Sequence, residues 1–171
     1  AMHNYLLRFV FILLILSCVT TSVESQTAGK ERYTEDAIQL QDLYIKANQK
    51  KLLGKYDEAA EILGKLIEKD PLNASAYHDL ARVHLALKEY DDAIKAGKKA
   101  IQYAPGNIWY ILTLSEIYGY NEDPSNQAAT LQKAISIESD EGLYSRLADS
   151  WLTAKQPQKA LEVYKAAIEK F

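Results

Sequence analysis

The sequence predicts an all-α fold: a solenoid of about four helix-turn-helix units, placed after an N-terminal signal peptide. Three observations predict it. First, one phrase is written twice. YDEAAEILGKLIEKDPLN (Tyr56–Asn73) and YDDAIKAGKKAIQYAPGN (Tyr90–Asn107) both open on Tyr-Asp-acidic-Ala and close on Pro-x-Asn. Second, the period is fixed. Ala59 to Ala93 and Pro71 to Pro105 each step by 34 residues, and the column Ala47, Ala81, Ser115, Ala148 steps by 34, 34 and 33. Third, apolar residues recur at i, i+3, i+4 and i+7, the spacing of one helix face, as in Tyr77, Leu80, Ala81 and His84.

Each copy reads as two helices. Asn73 and Asn107 stand where an N-cap is wanted, because a short side-chain oxygen there accepts from a free backbone N–H. In the second copy Lys88-Glu89 makes the turn. A second helix follows from about Tyr90 to Tyr103, with Ala93, Ile94, Gly97, Ala100 and Ile101 inward, and Pro105 stops it. The columns Leu66, Ala100, Ala134, Ala167 and Ala59, Ala93, Gln127, Ala160 also repeat. Small residues in columns let two antiparallel helices approach closely. The repeats are bounded at about 40–73, 74–107, 108–140 and 141–171, within a solenoid spanning 34–171. Thr34, followed by Glu35-Asp36, is a helix start.

This 34-residue pattern resembles the tetratricopeptide repeat family, with its aromatic, Leu-small, aromatic, Tyr, Ala and Pro columns. The clearest copy is Tyr77, Leu80-Ala81, His84, Tyr90, Ala93, Ala100, Pro105. Tyr144, Leu147-Ala148, Trp151, Ala160, Tyr164 and Ala167 carry the fourth. The resemblance covers about 40 to 171 and implies a right-handed solenoid that binds protein or peptide partners. Three departures stand out. Lys46 and Lys50 replace apolar groups in the first copy, so its first helix is expected to face water on one side. Pro124 and Pro157 replace Tyr56 and Tyr90, so looser turns are expected there.

Residues 1–25 are a different text. Arg8 precedes the wholly apolar Phe9–Leu16 run, and a short small-residue stretch follows, the n-h-c pattern of a secretory signal peptide. The apolar run is far shorter than the roughly 20 residues that span a bilayer. Two cleavage sites compete. Val23-Glu-Ser25 before Gln26 fits the small-x-small rule. Ile15-Leu-Ser-Cys18 resembles a bacterial lipobox, which would lipidate Cys18. Cleavage after Ser25 is preferred, since Leu16 is a less usual lipobox residue. Residues 26–33 are polar and read as a flexible linker. An exported, periplasmic or cell-envelope location follows, with membrane contact only through the signal peptide or a lipid anchor at Cys18. Cys18 is the only cysteine, so no disulfide can staple the domain.

No catalytic or metal constellation is expected. His78 and His84 are six residues apart on one helix and face different ways. His84 shares a column with Tyr118 and Trp151 and reads as a packed residue; His78 lies outward. There is no Gly-rich phosphate loop and no GxSxG. Acid pairs such as Asp57-Glu58 and Asp91-Asp92 sit at helix starts, where they complement the helix dipole. A net charge of −3 with interspersed signs lacks the basic face that nucleic acid needs. No cofactor and no nucleic-acid partner are therefore expected.

What stacked hairpins offer is surface, because their first helices line a concave face. Trp109, Leu112, Glu116 and Tyr120 form a stripe apart from the core stripe of Ile111, Leu114, Ser115 and Tyr118. Matching positions are Tyr44 and Asn48, then His78, Arg82 and Leu85, and downstream Asp149. This stripe suits an extended peptide or a helix; the alternative is that Trp109 and Tyr120 pack between repeats. Some family members clamp a chaperone's C-terminal carboxylate, but at those positions only Asn48 fits, and that role is not expected. The function read here is a non-catalytic scaffold of the bacterial cell envelope. The alternatives are a lipid-anchored assembly factor and the N-terminal module of a longer enzyme. Phe171 falls in the last turn of an eighth helix with no polar capping element after it, so the natural chain is expected to continue. A short protein that buries its last face in a partner is the other reading.

Overall fold

A computed structural model describes residues 35–171. The signal peptide, the linker, Thr34 and Cys18 lie outside the described residues. Within them are two compact units, 35–42 and Leu43–Phe171. Residues 35–42 are helical.

Among the described residues the secondary structure is helix alone. Helix α1 covers residues 35–52. It is followed by α2 (Tyr56–Lys69), α3 (Ala74–Ala86), α4 (Tyr90–Tyr103), α5 (Ile108–Tyr120), α6 (Pro124–Ile137), α7 (Glu141–Thr153) and α8 (Pro157–Lys170). In the second unit each helix packs on the next in sequence, and α3 also meets α5. First helices therefore neighbour first helices, the geometry of an α-solenoid.

The predicted columns are the core. Ala47, Ala81, Ser115 and Ala148 are fully buried, as are Ala59, Ala93, Ala128 and Ala160. Around them pack Leu63, Leu66, Ile111, Ile117, Leu131 and Leu147. Gly97 lets α4 approach α5 closely: a Cβ there would stand 3.1 Å from Leu114 Cδ1. Asn73 Oδ1 accepts from Ala76 N and Asn107 Oδ1 from Trp109 N, each at 3.0 Å, so both expected N-caps form.

Every hairpin turns in the same way. Gly54, Lys88, Glu122 and Lys155 all have positive φ (69°, 62°, 55° and 58°) and are spaced by 34, 34 and 33 residues. The N–H one residue later reaches back five residues in each copy: Lys55 to Lys50 O, Glu89 to His84 O, Asp123 to Tyr118 O and Gln156 to Trp151 O, at 2.8–2.9 Å. This is the Schellman closure of a helix C-terminus. The looser turns expected at Pro124 and Pro157 are not found. Both prolines occupy the first helical position, where no N–H is required, so the closure is undisturbed. Lys46 is exposed as expected. Lys50 instead reaches Glu58 Oε2 of α2 at 2.5 Å.

Candidate functional site

The side of the first helices away from the core carries two adjoining grooves. The larger, about 510 Å³, is lined by Asn48, Lys51 and Leu52 of α1, Tyr56 of α2, and Arg82, Val83 and Ala86 of α3. The second, about 400 Å³, draws residues from three first helices: His78 and Arg82 (α3), Trp109, Leu112, Thr113 and Glu116 (α5), and Arg146 (α7). Arg82 belongs to both and joins them.

The walls are fixed by contacts between helices. Tyr44 OH and Ser75 Oγ are 3.0 Å apart, tying α1 to α3. Lys51 Nζ donates to Asp79 Oδ1 at 2.5 Å and to Asn48 Oδ1 at 3.0 Å. Asp79 is only 6% exposed, so this pair is largely shielded from water. His78 Nε2 and Thr113 Oγ1 lie 3.0 Å apart, and the His78 ring stacks on Tyr110 at 4.6 Å, tying α3 to α5. Burial lowers the His78 pKa; Arg82 and Lys51 push the same way and Asp79 opposes them. Burial also raises the Tyr44 pKa. The groove walls are thus rigid.

The floor and rim are different. Trp109 is 71% exposed although it is the largest side chain at the site. Among the described residues Arg82, Arg146 and Glu116 make no ion pair. An open indole beside unpaired guanidinium and carboxylate groups is a surface ready for polar and apolar contacts together.

Of the ten partner-binding positions chosen from sequence, His78, Arg82, Trp109, Leu112 and Glu116 share the second groove, and Asn48 lines the first. Four others lie outside both. Tyr44 is held by Ser75 beneath the wall. Leu85 is half-buried against the cluster of Ala81, Ala93, Ala96 and Ile117, so it is a packing residue. Tyr120 is exposed at the end of α5. Asp149 accepts from Tyr164 OH at 3.4 Å and faces α8. His78 is half-buried and bonded within the wall, not freely outward as the sequence suggested. Sequence reasoning missed Lys51, Asp79, Thr113 and Arg146. Ile45, Asp79, Thr113 and Arg146 form one column at steps of 34, 34 and 33 residues, a signal that could have found three of them.

No helix among the described residues is long and apolar enough to cross a membrane. The fold and the groove define a class: an α-solenoid of helical hairpins that presents a binding surface on its first helices. Residues 53–108 match the family model described as Tetratricopeptide repeat. The chain is 27% identical over 117 residues to the small glutamine-rich tetratricopeptide repeat-containing protein 2 of Saccharomyces cerevisiae, covering 68% of this chain and 32% of that one. It is 28% identical over 111 residues to TPR repeat-containing protein MJ1428 of Methanocaldococcus jannaschii, covering 65% and 20%. The chain thus spans a third or less of these relatives' length. Among solved structures it resembles MamA from Desulfovibrio magneticus RS-1 (TM-score 0.64, 20% identity, 76% of this chain and 74% of that chain). It also resembles YrrB, a TPR protein with an unusual peptide-binding site (TM-score 0.60, 21% identity, 72% and 64%). The chain is a tetratricopeptide-repeat protein.

Proposed function

We propose that this chain is a non-catalytic protein–protein interaction scaffold whose second groove holds an extended peptide or a helix of its partner. The carrying observation is Trp109, left open on α5 between Arg82 and Arg146 on neighbouring first helices. A solvent-facing indole costs hydration free energy unless something covers it. Proteins of this repeat family bind protein or peptide partners, and the YrrB likeness supports a peptide. The rigid Lys51–Asp79 and His78–Thr113 walls support it further, because a preorganised groove loses little entropy on binding. Capture of partners by the immobilised chain, repeated with Trp109→Ala, tests the reading. Proteins retained by the wild type and released by the variant support it; an unchanged set of captured proteins refutes it.

The cellular setting is proposed as the cell envelope, from the n-h-c pattern of residues 1–25. The lone Cys18 favours a second form of this reading, a lipid-anchored assembly factor. Intact mass of the membrane-extracted protein separates the two: a free Gln26 terminus marks ordinary export, and a diacylated Cys18 marks the anchor.

A further inference from the structure

The second helices carry a column comparison that singles out α8. In α6, Ala128, Leu131 and Ile135 are buried in the cluster that also contains Leu143 and Leu147 of α7. The same columns, one repeat later, hold Leu161, Tyr164 and Ile168 in α8. Here they are exposed: Ile168 is 80% accessible, against 7% for Ile135. Phe171 extends the row. Beside it lies a groove of about 460 Å³ between α7 and α8, lined by Glu141, Ser145, Tyr164, Ala167, Ile168 and Phe171. The row is firmly seated. Phe171 meets Tyr144 edge-on at 5.8 Å, and Lys170 Nζ donates to Ser139 Oγ at 2.5 Å.

The helix that covers α6 shows what such a face receives, namely another amphipathic helix. The opposite end of the unit cannot supply one. The columns that hold Leu80, Leu114, Leu147 and Val83, Ile117 in later first helices hold Lys46 and Gln49 in α1, both exposed. Head-to-tail stacking would bury those polar groups against the apolar row. The α8 row itself can supply the cover. Leu161, Tyr164, Ile168 and Phe171 are spaced 3, 4 and 3, the spacing of a coiled-coil seam. Together they expose apolar surface on the order of 400 Å², the size at which a patch marks an interaction site. Two such rows with their flanking residues bury about 1,000 Å², enough for a weak pair.

We infer that two copies of this chain associate tail to tail, α8 against α8, about a twofold axis. Such a contact is isologous and closes at two. It leaves the groove around Trp109 open in both copies, so the pair would be bivalent. Sedimentation equilibrium of the full chain over about a hundredfold concentration range tests this. The expected result is a reversible rise from monomer to dimer mass and no further. Ile168→Glu should weaken association at least tenfold, with an unchanged helical circular dichroism spectrum, because the side chain is exposed in the monomer. Trp109→Ala should leave association unchanged, which separates this contact from the peptide groove. A monomer at every concentration overturns the inference. So does association that survives Ile168→Glu, or mass that climbs past the dimer.

Discussion

Ser115 is the one side chain whose burial is chemically uncomfortable. Its column holds alanine in the other three copies, and its Oγ is fully buried with no hydrogen-bond partner among the described residues. A buried hydroxyl without a partner loses its water and gains nothing in return. Ser115→Ala should therefore stabilise the protein by about 1 kcal/mol, read as a higher urea midpoint with an unchanged slope. His78 gives a pH signature. Its pKa is lowered in the folded state by burial, so below the ordinary imidazole range the unfolded chain takes up a proton that the folded one resists. Stability from this residue is present above that range and is lost as pH falls through it. Urea midpoints at about pH 7.5 and about pH 5.5 should differ less in His78→Gln than in the wild type. At this scale the sequence was only partly legible. Trp109 and Arg82 were placed correctly because their stripe is offset from the core stripe. Leu85 and Tyr44 were misread, since identical spacing cannot tell a groove from the packing beside it. Asp79 was overlooked because an acid in a helix reads as solvated until Lys51 is seen across from it.

At the scale of the element, the hairpin turn shows what the repeat demands. Four turns need a left-handed residue, and only the first supplies glycine, at Gly54. Side chains with a Cβ resist this conformation, so Lys88, Glu122 and Lys155 carry local strain. Lys88→Gly, Glu122→Gly and Lys155→Gly should each stabilise by about 0.5–1 kcal/mol, and Gly54→Ala should destabilise by about as much. Thermal unfolding of the four variants checks the sign in one series. The turns were legible in place but not in detail. Lys88-Glu89 was located from the break in apolar spacing, yet the shared closure is invisible without backbone angles. The prolines misled for the same reason: residue type alone does not show that position 124 or 157 needs no N–H.

For the whole molecule, the two ends of the second unit differ. Lys46 and Gln49 make the α1 side polar, while Leu161, Tyr164, Ile168 and Phe171 leave the α8 side apolar. Fold class was highly legible, because a fixed period repeats every constraint four times and errors in one copy are corrected by the others. The site was less so, because function sits where the copies disagree, and disagreement carries no period. The central claim is that the groove around Trp109 binds peptides. It is tested most directly by selecting a random peptide library on the wild-type chain and measuring the selected peptides against Trp109→Ala. The account predicts enriched peptides whose affinity falls at least tenfold (about 1.4 kcal/mol) on the variant, while its stability stays within about 0.5 kcal/mol of wild type. Failure to enrich any peptide, or selected peptides that bind the variant equally well, would contradict it.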